Sequence, residues 1–368
     1  MKLLHISDLH IGKRIYGYDL EDDQRHILKE IISIIDVEKP DAVLIAGDIY
    51  DRADPSASAV RIFDDFLSML AKRKTEVFII YGNHDSGSRI AYGHDVFGAA
   101  GVHISPVYDG NIEPVRIMDG YGPVDIYMLP YLRSADAAEA LEKISPDSSV
   151  RNVILSHQFV TSAVLGESEE MNVGALDNID GSLYGPFDYA ALGHIHMPQT
   201  IKTESGVVRY SGSPLAYSFS EADHIHKSVT MVALGEKGAA DVSTVELSPL
   251  HRMRTIKGLF GDLISDRGLA EECKNDYLRI ILTDTGGVMD AMSRLQTAFD
   301  NVMTLEYEYM RQQSEDTEIE ETHAEGSPDE LFDALYEQQH DGETMNDYQK
   351  EAAAEMIREI WEDGNETD

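Results

Sequence analysis

The sequence predicts an α/β fold in four layers, α/β/β/α, followed by a small α/β capping domain and C-terminal helices. Three observations predict it. Residues 2–81 alternate short apolar runs with helical periodicity, and every run ends on a polar motif. Helical periodicity becomes rare after Ile144 while strand-like runs continue, so a second, more antiparallel sheet is expected. Near Leu250 the texture changes again, to a unit of about 60 residues, a size that suits a separate domain.

The elements follow in order. Residues 2–7 form a buried apolar run and predict a strand; Leu20, Ile27, Leu28, Ile31, Ile32 and Ile35 recur helically over 20–38, and Pro40 ends that helix. Residues 42–46 are wholly apolar and predict the second strand. Residues 55–73 predict a helix with Asp54 as cap and Pro55 at its first position. A third strand is predicted at 77–81, and further strands at 124–129, 152–156, 187–192, 207–210, 229–234 and 242–247. After residue 250 the pattern predicts a helix at 259–272, a strand at 277–282, a helix at 288–299 and a strand at 302–309. The expected domains are therefore 1–250, a small unit at 251–311, an acidic linker at 312–327 and helices within 328–368. The apolar positions of those last helices, among them Leu331, Phe332, Leu335, Met356 and Trp361, suit docking onto another protein.

Composition limits the function classes. No apolar run reaches the roughly 18 residues of a membrane span, and no signal peptide is visible before Asp8, so a cytoplasmic protein is expected. The single cysteine, Cys273, excludes an internal disulfide and a thiolate zinc cluster, leaving His, Asp, Glu and Asn to hold any metal. A formal charge of −37 argues against unaided binding to nucleic acid. Residues 314–368 hold 20 acidic and two basic residues, leaving 47 acidic and 28 basic before them, so about half of the excess lies in the tail. Bound divalent cations would add local positive charge to the rest.

The polar motifs after the strands carry the chemistry. They are Asp8-Leu9-His10, Gly47-Asp48 with Asp51, Gly82-Asn83-His84-Asp85, His157, and Gly193-His194-Ile195-His196. Loops at the carboxyl ends of parallel strands share one crevice. In extended chain, residues two apart face one side, which would let Asp8 converge with His10, and His194 with His196. Carboxylate, amide and imidazole donors suit manganese, and in part iron, zinc or magnesium. Asp48 is the candidate bridge between two ions, and Asn83 a neutral oxygen donor. Such a pair of ions suits hydrolysis of a phosphoester. His84, turned away from Asn83, is available as general acid, with the Asp51 carboxylate to orient it. Arg52 and Arg89 are candidate phosphate contacts. Asp223-His224-Ile225-His226 imitates a ligand pair but is expected to be a hairpin loop, and His5 is expected to be a core histidine.

With these motifs in view, the sequence resembles the calcineurin-like metallophosphoesterases. Within them it looks like the SbcD-type nuclease subunits, relatives of the Mre-type subunits of double-strand-break repair complexes. The resemblance rests on His5-Ile6-Ser7-Asp8-Leu9-His10-Ile11-Gly12, Gly47-Asp48-Ile49-Tyr50-Asp51-Arg52, Gly82-Asn83-His84-Asp85-Ser86, Ser156-His157-Gln158-Phe159-Val160, Ala191-Leu192-Gly193-His194-Ile195-His196 and Tyr210-Ser211-Gly212-Ser213-Pro214. It continues through Arg254-Thr255-Ile256-Lys257-Gly258. The resemblance implies two manganese ions on Asp8, His10, Asp48, Asn83, His157, His194 and His196, with His84 catalytic and Asp51 supporting it. It also implies that 251–311 is a capping domain admitting DNA, and that the C-terminal helices bind the coiled-coil base of an SbcC-like, SMC-type ATPase. A homodimer, assembled into a heterotetramer with that ATPase, is expected. The implied activity is ATP-regulated: exonuclease on duplex DNA ends and endonuclease on single strands and hairpins, in DNA repair, recombination and replication. Two other readings are a phosphodiesterase acting on small or protein substrates and a mainly structural DNA-tethering subunit. The domain after Leu250 and the apolar C-terminal helices disfavour the former, and the complete ligand set disfavours the latter.

Overall fold

The protein is seen in a computed structural model, and the structure describes residues 1–161, 163–164, 178–203 and 206–310, with Phe332, Tyr336, Met345, Gln349, Lys350 and Ala353. Two six-stranded sheets lie face to face. The first runs Ala240–Glu246, Ser228–Leu234, Lys2–Ile6, Ala42–Ala46, Glu76–Ile80, Val102–Ile104. Its four N-terminal strands pair in parallel, with Leu3 opposite Ala42 and Val43 opposite Val77, and its two late strands join antiparallel.

The second sheet runs Gln199–Ile201, Val207–Tyr210, Tyr189–Gly193, Arg151–His157, Gly122–Leu129, Val115–Asp119. Its three inner pairings are parallel and only the edges are antiparallel, the same proportion as in the first sheet, which corrects the expectation of a more antiparallel second sheet. Parallel neighbours need a long crossover, not specifically a helical one. Here the crossovers into Tyr189–Gly193 and Val207–Tyr210 lack a long helix among the described residues, so helix scarcity misled the sequence reading. The truly antiparallel late strands return to the first sheet instead.

Between the sheets, Leu3, Leu44 and Phe78 pack against Val153, Leu155 and Ala191. The helices Glu21–Glu38 and Ala57–Ala71 cover the outer face of the first sheet, and Ser134–Lys143 covers the second, giving the expected four layers. Helix Glu21–Glu38 opens with three acidic residues against its positive end and closes on Lys39 in the left-handed region (φ 49°), just before Pro40. The second helix starts later than expected. Ser56, not Asp54, is its cap: Ser56 Oγ accepts from the Ala59 amide at 3.0 Å, while the Asp54 carboxylate pairs with Arg89.

A third sheet, all parallel, joins Met253–Gly258, Tyr277–Leu282 and Val302–Tyr307 around its own apolar core, which includes Leu278, Ile280, Leu282 and Leu295. Its first strand escaped the sequence reading because only Ile256 in it is buried and two of its six residues are basic. The expected helix over 259–272 is two, Phe260–Ser265 and Arg267–Glu272, broken at Asp266, whose carboxylate accepts from the Leu269 amide at 2.9 Å. Asp23, buried in the first helix, binds this sheet by accepting from Tyr277 Oη at 2.8 Å and from the His251 amide at 3.1 Å.

Met1–Glu308 forms one compact unit and Tyr309–Asp368 a second. The expected linker, 312–327, lies outside the described residues. So do the C-terminal helices, except that Phe332, Tyr336, Gln349, Lys350 and Ala353 are helical. No helix among the described residues is long and apolar enough to cross a membrane.

Candidate metal centre

The loops that end the strands are held by main chain. The amides of Asp8, His10 and Ile11 donate to the carbonyls of Gly47, Asp48 and Ile49 at 2.9–3.0 Å, which locks two neighbouring loops together. Asp8 (φ 55°), His10 (φ 41°), Asp48 (φ 49°) and His194 (φ 96°) all have left-handed backbone, a conformation that costs non-glycine residues about 1–3 kcal/mol each and clusters at functional sites. Asp8 and His10 thus converge through kinks, not through the strand alternation the sequence suggested.

Buried Asp85 staples the third loop to the second. Its carboxylate accepts from the amides of Gly82 (2.9 Å), Ile49 (3.0 Å) and Tyr50 (2.9 Å). Burial, reinforced by the nearby Asp48 charge, pushes its pKa up to about 6. Two glycines make room for the approach: a Cβ at Gly82 would fall on Asp48 Oδ1, and one at Gly193 would strike the Ala46 carbonyl.

These loops bring together every predicted ligand. Ligand atoms of Asp8, His10 and His196 lie within 4.8 Å of one another, as do those of Asp8, Asp48 and His157, and those of His10, Asp48 and His84. His10 Nε2 and His196 Nε2 are 3.1 Å apart in buried space. Asp48 Oδ2 stands between the groups, 3.3 Å from His157 Nε2 and 3.7 Å from His10 Nε2. Asn83 Oδ1 lies 3.1 Å from both His157 Nε2 and His194 Nδ1. His194 and His196 do not converge as the spacing suggested. The left-handed turn at His194 sends its ring to Asn83 and His157, while His196 meets His10.

The electrostatics suit a cation at this cluster. Burial raises the Asp8 pKa. For Asp48, burial is the largest single influence and works the same way, but the charge and hydrogen bond of His157, with the charges of His10 and His84, together outweigh it and hold the carboxyl low. His157 answers: burial opposes its charge, yet Asp48 lifts it to about 9. Burial, then the His157 charge, depresses His194 to about 3, and burial lowers His10 well below the usual range. The buried Asp48 charge thus favours positive charge beside it, which suits a divalent ion. The cluster's carboxylate and amide oxygens and imidazole nitrogens are the donors that fit a divalent metal.

His84 sits at the rim, with its side chain 30% exposed. Its amide donates to Asp48 Oδ1 at 2.9 Å and its Nδ1 donates to the Asp51 carbonyl at 3.1 Å, which leaves Nε2 for a substrate proton. The orienting group is thus the Asp51 main chain. Its carboxylate, assigned that task from sequence, instead accepts from Lys13 Nζ at 2.8 Å, because the turn after Asp48 points it back toward the first loop. Arg52 is exposed beside Asp51, and Arg89 donates to the Ala53 carbonyl at 3.2 Å and to Asp54. The Asp223 to His226 stretch is not a hairpin loop. Asp223 and His224 end the helix Phe219–His224, and Asp223 binds Thr255 and Arg279. His5 is buried as expected, with Nδ1 2.8 Å from Tyr189 Oη.

Sequence reasoning missed four residues around the cluster: Asp85 as staple, Tyr217, Glu221 and Lys227. Tyr217 Oη donates to the Leu9 carbonyl at 2.5 Å, and its ring meets those of His10 and His196 edge-on. Glu221 receives His196 Nδ1 at 3.3 Å. Asp85 stood in a quoted motif without a role; nothing in their spacing tied the other three to the strands.

Two stacked sheets with Asp, His and Asn side chains gathered at their loops define the calcineurin-like phosphoesterases, and the family model of that description matches residues 1–198. A second model, described as a type 5 capsule protein repressor C-terminal domain, matches residues 249–340. The D subunit of nuclease SbcCD from Staphylococcus saprophyticus subsp. saprophyticus is 30% identical over 83% of this chain and 84% of its own length. The protein of the same name from Staphylococcus epidermidis is 28% identical over 83% and 85%. The chain belongs to this SbcD family within the calcineurin-like phosphoesterases. Among solved structures, a dimetal phosphatase from Danio rerio aligns with 67% of this chain and 99% of its own at 13% identity and a TM-score of 0.41. Zinc-bound Vps29 from Entamoeba histolytica aligns over 67% and 99% at 13% identity and a TM-score of 0.30.

Proposed function

We propose that this chain is the nuclease subunit of an SbcC–SbcD-type complex, a hydrolase that cuts DNA phosphodiesters with two divalent ions, most favourably manganese. The observation that carries the reading is the buried cluster of Asp8, His10, Asp48, His157 and His196, whose ligand atoms crowd within 4.8 Å of one another in overlapping groups. Asp8, His10 and His196 would hold one ion, Asn83, His157 and His194 would hold the other, and Asp48 would serve both. When bound, such ions acidify an attacking water and neutralise charge developing on the phosphate. The protein supplies the rest. Main-chain bonds and the Asp85 staple fix the ligands before substrate arrives, which lowers the cost of reorganisation. His84, its tautomer set by the Asp51 carbonyl, donates from Nε2 to the leaving oxygen.

The curated relatives carry the name of a nuclease subunit, which supports DNA as the substrate. On this reading the enzyme degrades duplex ends and cuts single strands and hairpins in the cytoplasm, as a homodimer whose C-terminal helices bind an SMC-type ATPase. The acidic charge implies that this partner furnishes much of the DNA-binding surface. Residues 251–311 act as the capping domain, and Arg52 is the better placed of the two arginines to meet a phosphate because Arg89 is engaged by Asp54. The test is incubation of the protein, with and without the ATPase, with manganese and linear duplex, hairpin DNA or a cyclic dinucleotide. Cleavage of the DNA substrates is expected; hydrolysis of the cyclic dinucleotide alone would reject the assignment.

A further inference from the structure

We propose that Glu221 is a positioning residue for His196, and that the small parallel sheet sets its position through Asp223. The inference rests on His196 being a metal ligand. His196 Nδ1 donates to Glu221 Oε1 at 3.3 Å, which commits Nε2 to the side facing His10. Glu221 Oε2 accepts from Lys227 Nζ at 2.6 Å, and Lys227 also donates to the His196 carbonyl at 3.1 Å and to Ser213 Oγ at 2.8 Å. The bonds close a ring that fixes both the imidazole and the main chain of one residue. Glu221 is 2% exposed and Lys227 8%, so neither charge is there for solubility. Carboxylates of this kind orient imidazole ligands and raise their basicity.

The short helix that carries Glu221, Phe219–His224, is gripped from the other side. Asp223 Oδ2 accepts from Thr255 Oγ1 at 3.2 Å and from Arg279 Nη2 at 3.1 Å, and the Arg279 guanidinium lies over the Phe219 ring at 5.3 Å. Thr255 and Arg279 are neighbours in the register of the small sheet. A cavity of about 460 Å³ borders the same segment at Ala222, Ile225 and Lys227 and the sheet at Met253 and Tyr277. Phe219 anchors one side of this helix in the core, and on the side the cavity leaves open its polar ties, with the Tyr217 amide donating to Glu221 Oε2 at 3.3 Å, help hold Glu221 in place. A shift of the small sheet would move Asp223, and with it the carboxylate behind His196.

The test is a calorimetric titration of Mn²⁺ into chelator-treated, full-length protein. Wild type should bind two ions and His196→Ala one. Glu221→Gln should weaken one ion about 10- to 100-fold and leave the other unchanged. Asp223→Asn should weaken the same ion by less. Because Glu221→Gln leaves a buried ammonium without its carboxylate, the double variant Glu221→Gln with Lys227→Met is measured beside it, with circular dichroism as the check on folding. Wild-type isotherms for the Glu221 variants, alongside loss of one ion in His196→Ala, would overturn the proposal. Two ions in His196→Ala would instead overturn the ligand assignment beneath it.

Discussion

The two halves of the metal cluster are held by different means. On the Asp48 and Asn83 side, the loops are short, contiguous with their strands, and pinned by main-chain bonds and one carboxylate, Asp85. On the His196 side, the ligand is held by Glu221 and Lys227, 25 and 31 residues further along the chain. The first half is built to be rigid. The second is connected, through Asp223, to a separate sheet, and is the half through which the site can be adjusted.

Breaking the rigid half should have the largest effect. Asp48→Asn removes the charge shared by both ligand groups and should abolish binding of both ions and all hydrolysis, checked by metal analysis after gel filtration. Retention of two ions would show that Asp48 is not the bridge. Asp85→Ala leaves three buried amides without an acceptor and should lower unfolding free energy by about 2–4 kcal/mol in urea denaturation, with reduced metal affinity following from loosened loops. Unchanged stability would mean that water replaces the staple. Away from the cluster, Ser56→Ala should cost about 1 kcal/mol and leave metal binding untouched, separating helix stability from the site. Smallest of all, Arg89→Ala breaks an exposed pair with Asp54 and an exposed bond to the Ala53 carbonyl and should change stability by less than about 1 kcal/mol; a large rise in KM for DNA would reveal a substrate contact that these bonds conceal.

The same contrast explains what was legible in the sequence. Strands 42–46, 207–210 and 277–282 are found as read, because each is a short apolar run bounded by turn chemistry. All seven predicted ligands gather in one cluster, because each follows its strand within a few residues. Sequence could not tell that Asp8 and His10 meet through left-handed kinks, since strand alternation predicts the same convergence. Nor could it place Asp51: spacing gives proximity to His84, but whether carbonyl or carboxylate faces the ring depends on Lys13, 38 residues earlier. Glu221 was illegible for the same reason, as its partner lies across a fold-level contact. The sheet topology failed where a crossover without a long helix among its described residues mimicked an antiparallel connection.

The separation of ligands from the proton donor is tested most directly by counting manganese in purified His84→Ala and assaying the same sample on linear duplex DNA. The account predicts two ions per chain, as in wild type, with cleavage reduced about 10²- to 10⁴-fold. Loss of an ion would make His84 a ligand, and full cleavage with two ions bound would remove it from the chemistry.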